Sequence, residues 1–195
     1  SALAMPTAKL AALAALAGQS FSSAAVLDAI RGVGSTTPLI DVIRAIQPLA
    51  VAFSAPAWTG PAIDRVRAKV AMFGAVPLPH PADAQHPAPW LALEQLQGLT
   101  TYARLAAVPD TSPDDLWTAL EAFDPAAPGF PSSVDVPLAR ALGTSPGTLV
   151  GMRGRIAVSS VAITALDQLS RAVQVAGEIG LDGETYVWVE RDRHA

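Results

Sequence analysis

The chain has 195 residues, 51% hydrophobic and only 15% charged, with a formal net charge of −4 and a pI near 5.2. That balance excludes a nonspecific nucleic-acid binder, which needs clustered Lys and Arg against phosphate. The lack of cysteine excludes disulfides and thiolate chemistry. The length suffices for one sizeable core or two small ones. Ala, about a fifth of the residues, favours helices that approach closely. A charged fraction well under the ~25% of an ordinary domain fits a piece of a larger protein.

Pro6 and Thr7 open a first helical stretch with Leu10, Leu13 and Leu16 as its apolar side. Its apolar run is too short to cross a bilayer, and Ser1 to Gly18 has no basic head, so neither a membrane anchor nor a signal peptide is expected. Ser22 or Ser23 can cap a second helix carrying Val26, Leu27 and Ile30, which Gly32 and Gly34 stop. Thr37-Pro38 starts a third, where Leu39, Val42, Ile43 and Ile46 fall on one face. Pro48 is expected to end or kink it. Thr59 and Pro61 start a fourth, lined by Ile63, Val66, Val70 and Phe73, with Asp64, Arg65, Arg67 and Lys69 mostly off that line and Gly74 as the stop.

Val76 to Pro89 carries five prolines and reads as an extended loop, the best sub-boundary in what is otherwise a single helical domain over residues 1–195. A long helix is predicted from about Trp90 to Ala107, with Ala92, Leu96, Leu99, Ala103 and Ala106 as its packing seam. Ser112 caps the next, with Pro113 at its first position, Asp114 and Asp115 in its first turn, and Leu116, Trp117, Leu120 and Phe123 inward. Val134, Leu138, Ala141 and Leu142 form a short helix that ends at Gly143. Ser145 caps its successor, which carries Leu149, Val150 and Met152. Ser159 or Ser160 then caps the most regular helix, from Ala162 to Ile179, closed by Gly180.

The joint Leu142-Gly143-Thr144-Ser145-Pro146-Gly147-Thr148-Leu149 thus combines a left-handed glycine stop with a capped, proline-primed start. Weaker copies lie around Gly18, Ser112 and Gly180-Leu181-Asp182. Ser112, Ser145 and Asp182 are 33 and 37 residues apart, a spacing typical of stacked helical units. Tyr186, Val187, Trp188 and Val189 have strand-like side chains, but alignment with the joint predicts a helix start at Asp182.

Chemistry-bearing residues are few. His80 and His86 flank Asp83 in the proline loop, short of the three or four well-held ligands a zinc site needs. His194 is terminal. Asp114 and Asp115 point about 100° apart on a helix and do not converge on one bond. Gly143-Thr144-Ser145-Pro146-Gly147 matches the string of a nucleophile elbow, yet the strand that must precede an elbow is missing. Gly151 to Gly154 lacks the Lys and Ser/Thr of a phosphate loop. Trp58, Trp90, Trp117 and Trp188 are scattered and read as packing residues. No catalytic, cofactor or metal residue is expected.

Residues Ala139 to Leu149, followed by Leu166 to Asp182, resemble the helical shell of Tc-type (ABC) toxin A subunits, which repeat a Leu-Gly-x-Ser-x-x-x-Leu joint between helix pairs. The resemblance covers at most residues 100–190. It implies a structural shell in a secreted, oligomeric, pore-forming toxin, and no catalytic residues. Without it the compartment defaults to the cytoplasm.

The sequence therefore predicts an all-α chain, arranged as an irregular helical repeat array or an orthogonal bundle. The function expected is a noncatalytic scaffold or protein-interaction module of a larger assembly. Its partners are other protein chains, the rest of its own parent or further copies of itself, met at Tyr186, Val187, Trp188 and Val189 where the array runs on. The alternative is a small helical hydrolase or ligand-binding domain with its site at the proline-loop histidines.

Overall fold

A computed structural model describes residues 5–19, 37–74, 78–109, 111–153 and 159–180. Helix makes up 64% of it, with no sheet among the described residues. The helix expected between Ser22 and Ile30, and the Tyr186 to Val189 segment, lie outside them. The chain divides into two compact units, Ser1–Val70 with Gly74–Thr100, and Ala71–Phe73 with Thr101–Ala195.

The first unit contains α1 (Thr7–Leu16), α2 (Thr37–Ala52), α3 (Gly60–Ala68) and the start of α4 (Leu93–Ala106), while three of the four residues of a 3-10 turn at Val70–Phe73 belong to the second. α1 packs on α3 and on α2. Leu13, Ile46, Leu49, Phe53, Trp58, Ile63 and Val66 fill the interior. Phe53 and Trp58 meet edge to face at 5.0 Å. Each fully buried side chain of this kind is worth about 1.5–3 kcal/mol. The Thr59 hydroxyl accepts from the Ala62 amide at 3.3 Å and caps α3 as its sequence predicts. Asp64, Arg65, Arg67 and Lys69 are exposed, as expected. Lys9 on α1 is buried, its ammonium 3.5 Å from the Ala55 carbonyl, and burial lowers its pKa.

Four expectations for this part need correction. Of the two outcomes expected at Pro48, an end is not met: α2 runs through it to Ala52. Pro48 lies on the exposed side, so the helix loses one hydrogen bond there while Ala45, Ile46 and Leu49 stay buried and hold its inner side. The inner face is also rotated: Ile43 is exposed, and Ala45 and Leu49 take the place expected of it. α4 starts at Leu93 rather than Trp90, because the Trp90 backbone is bonded to His80 in the preceding loop. Gln95 reaches back to accept from the Ala92 amide at 2.9 Å, half of a capping box. The α4 seam keeps the expected Leu99 but otherwise falls one position before the expected residues. Gln95, Leu99, Tyr102 and Leu105 are buried, while Leu96 is exposed.

The second unit holds the end of α4, α5 (Pro113–Ala122), a 3-10 turn at Ser132–Val134, α6 (Asp135–Ala141), α7 (Pro146–Met152) and α8 (Ala162–Glu178). α5 packs on α6 and α8, α6 on α7, and α7 on α8. Every apolar position expected to face inward on α5 is buried, as are Leu138 and Ala141 on α6 and Ala162, Ala165, Leu166, Leu169, Val173 and Ala176 on α8. Arg140 bonds Asp115 at 2.8 Å, and Arg104 bonds Asp167 at 2.7 Å. Arg153 pairs with Asp135. Such partly exposed pairs contribute at most about 1 kcal/mol each and mainly fix helix register.

The central joint has the geometry its sequence predicts. Gly143 sits at φ 65°, and the Thr144 and Gly143 amides bond back to Ala139 and Arg140 carbonyls at 2.9 and 3.1 Å. The Ser145 hydroxyl accepts from the Thr148 amide at 3.0 Å. Gly18 (φ 70°) closes α1 with the same pair of bonds, and Gly180 (φ 69°) ends α8. Ser112 departs from the pattern. It occupies the cap position of α5 without a side-chain bond, because its own carbonyl already receives the Asp115 and Leu116 amides. The hydroxyl used there is that of Thr111, which donates to the Ala141 carbonyl at 3.3 Å. Ser159 does not cap α8 directly. Its hydroxyl accepts from Val161, the residue before the helix, at 3.1 Å.

Ser145→Ala should cost about 1 kcal/mol, by loss of the cap bond. Gly143→Val should cost about 1–2 kcal/mol, since open space surrounds Gly143 and the penalty is that of a left-handed backbone. Urea melts of the two variants check both values. Two neutral results would contradict the joint's role.

Candidate functional site

The proline loop is closed by its own backbone. The His80 amide donates to the Trp90 carbonyl at 2.8 Å, and the Trp90 amide donates back at 3.4 Å. This places the His80 ring flat against the Trp90 indole, centroids 4.3 Å apart and planes 11° from parallel. The His86 ring lies 4.7 Å from the same indole. Both imidazoles are therefore used in stacking. Asp83 organises the turn between them. Its Oδ1 accepts from the His86 and Gln85 amides at 2.7 and 2.9 Å and lies 3.3 Å from His86 Nδ1. The His86 amide is the main cause that lowers the Asp83 pKa, against a smaller opposing effect of desolvation.

The sign follows from that depression. The turn is stabilised above the ordinary carboxylate pKa and loses that contribution as pH falls through the lower, folded value. Asp83→Ala should speed amide exchange at Gln85 and His86 at neutral pH and leave little difference from the wild type in strong acid. Equal exchange at neutral pH would contradict the turn's dependence on Asp83.

A cleft of about 580 Å³ lies beside this loop. Its walls are the end of α1 at Leu16 to Gln19, the outer side of α2 at Asp41 and Arg44, and the loop from Leu78 to Ala82 and Pro87 to Pro89. A second hollow of about 690 Å³ shares Arg44, Pro87 and Ala88 with it and continues along α2 past Gln47 and Pro48 to Val51. Both lie within the size range of small-ligand pockets, but both are open clefts. His80 borders the first cleft, and His86 borders neither.

α2 is apolar on two sides. Its inner side holds Ala45, Ile46 and Leu49, all buried. Its outer side presents Ile40, 46% exposed, and Val51, 75% exposed, with Arg44 between them and Ile43, 45% exposed, at the flank. An ordinary surface helix carries one apolar stripe. The signal for the second stripe is present in the sequence, as Ile40 and Val51 fall on the opposite side from Ile46 and Leu49, but a single-face reading of α2 passes over it.

The other candidate residues separate cleanly. Asp115 is bound by Arg140 and Asp114 stays in the first turn of α5, so they form no carboxylate pair. The Gly143 to Gly147 string is a helix cap between α6 and α7. No group of three or more His, Asp or Glu converges among the described residues. No helix of the described residues is long and apolar enough to cross a membrane. Tyr186, Val187, Trp188, Val189 and His194 lie outside the described residues. Compared with known protein families, curated proteins and solved structures, the chain has no match.

Proposed function

We propose that this chain is a noncatalytic helical scaffold or protein-interaction module that works by contact with another protein surface. The observation that carries the reading is the outer face of α2, where Ile40, Ile43 and Val51 stand exposed beside an open groove. Burying such a stripe against a partner stabilises the complex by about 25 cal/mol per Å² of apolar area removed from water, before the costs of association. Tyr186, Val187, Trp188 and Val189 form a second contact segment in this reading. The recurrence of the glycine stop at Gly18, Gly143 and Gly180 supports a helical array that continues into a neighbour. The likeness to the Tc-type toxin shell would make that assembly a secreted toxin, and it rests on the joint alone.

The cleft beside His80 favours a second reading, a ligand-binding domain. Its open form and the engagement of both imidazoles by Trp90 weigh against chemistry at those rings.

Light scattering after size exclusion, at several concentrations, tests the first reading. The intact chain should associate as concentration rises, and Val187→Ser with Trp188→Glu should weaken that association. A chain that stays monomeric at every concentration, with or without that double substitution, would count against contact as its function.

A further inference from the structure

The groove between α2 and the proline loop has a chemistry specific enough to name its occupant. Arg67, Arg104, Arg140, Arg153 and Arg171 each hold a carboxylate, whereas Arg44 holds none among the described residues. Arg44 is also the α2 residue that lines both hollows, three positions after Asp41 on the wall of the first. The residue four positions on is Pro48, which has no amide hydrogen. The Arg44 carbonyl therefore lacks the donor that every regular helix position receives, and the proline ring pushes against it. One residue thus offers a cationic fork and a backbone carbonyl with no amide donor four positions on.

That pair of groups selects among partners. A helical partner satisfies its interior amides internally and has no donor to spare for the Arg44 carbonyl. An extended segment presents free amides and carbonyls along its edges. The facing wall is proline at positions 81, 87 and 89, which give no amide donors, so the loop is not an edge for strand pairing. It offers flat apolar rings instead. From Asp41 to Val51 the groove follows α2 for about 15 Å, at 1.5 Å per residue, which matches four or five extended residues. At its far end Pro48 and the exposed Val51 form an apolar hollow.

We propose that this groove binds an extended peptide segment of another protein, with an acidic side chain on the Arg44 guanidinium, a backbone amide on the Arg44 carbonyl, and a neighbouring apolar side chain against Pro48 and Val51. The proposal rests on the reading of the chain as an interaction module and assigns one partner class to it.

The test screens a displayed library of random linear 12-residue peptides against the full chain. The strongest consensus peptide is then synthesised and its affinity measured for the wild type, Arg44→Glu, Val51→Asp and Trp188→Glu. Arg44 and Val51 are exposed, so their variants should keep the wild-type circular dichroism spectrum. The expected consensus pairs an acidic with a nearby apolar residue. Arg44→Glu should weaken it about tenfold or more, and exchanging the peptide's acid for lysine should restore binding to that variant. Val51→Asp should weaken it as well, and Trp188→Glu should not. Failure to enrich any consensus, or a consensus indifferent to Arg44→Glu and Val51→Asp, overturns the assignment. A peptide lost only with Trp188→Glu overturns the groove while leaving the interaction module standing. Self-association of the chain that Arg44→Glu abolishes would give the groove to a second copy and overturn the peptide assignment.

Discussion

Trp117→Ala should destabilise the second unit by about 3–5 kcal/mol, the cost of truncating a buried large aromatic. Trp117 is nearly fully buried on α5 and touches two other rings, Tyr102 at 5.1 Å and Phe73 at 5.9 Å. Phe73 and Tyr102 also meet, at 6.3 Å. Three mutually contacting rings leave no small side chain free to collapse into the space, so most of the cavity would persist. A domain with about 5–15 kcal/mol of total stability loses a large share of it by this one change. Trp117→Phe retains a ring and should cost markedly less. Urea denaturation followed by far-UV circular dichroism measures both. A loss under about 1 kcal/mol for Trp117→Ala would mean that the three rings do not form the core of this unit.

Gly60→Ala should destabilise the first unit by about 1–3 kcal/mol, although it adds only a methyl group. A Cβ at Gly60 would stand 2.9 Å from the Ala8 carbonyl oxygen, 3.0 Å from the carbonyl carbon and 3.3 Å from the Ala8 Cβ. The obstacle is the backbone of α1, which cannot turn aside as a long side chain would. α1 must move off α3, which loosens the packing between the two helices. The same substitution at Gly177, inside α8 with nothing within 4 Å of the added carbon, should stabilise by up to about 1 kcal/mol through helix propensity. Thermal melts of the two variants should therefore shift in opposite directions. A Gly60→Ala protein that melts no lower than the wild type would contradict the close packing of α1 on α3.

The contrast between those two glycines shows what the sequence could and could not yield. Helix stops with a left-handed glycine are local, so Gly143 and Gly180 are legible from their neighbours. The need for glycine at position 60 is set by Ala8, far away in the chain, and no local pattern encodes it. The inward faces of α5 and most of α8 follow from helical period, although Val175 and, at the end of α8, Ile179 are exposed. α2 and α4 were harder for a physical reason. Each carries apolar residues on more than one side, so period alone leaves the phase open, and the buried Gln95 on α4 runs against a hydrophobic count. Ser112 and Ser145 precede proline alike, yet only Ser145 bonds with its hydroxyl. The difference lies in where the Ser112 carbonyl and the Thr111 hydroxyl find partners, which is tertiary information. The groove is a similar case. His80 and His86 are visible as candidates, but their stacking on Trp90, and the lack of an ion pair at Arg44 among the described residues, emerge only from the folded chain.

The claim that this chain works through contact surfaces is tested most directly by carbene footprinting of the protein in extracts of its own source, compared with the purified chain at low concentration. The account predicts protection in the extract of Ile40, Ile43 and Val51 on the outer face of α2, of Tyr186 to Val189, or of both, with the remaining exposed positions labelled equally in the two samples. Identical labelling everywhere, with Val51 as accessible in the extract as in the isolated protein, would contradict it.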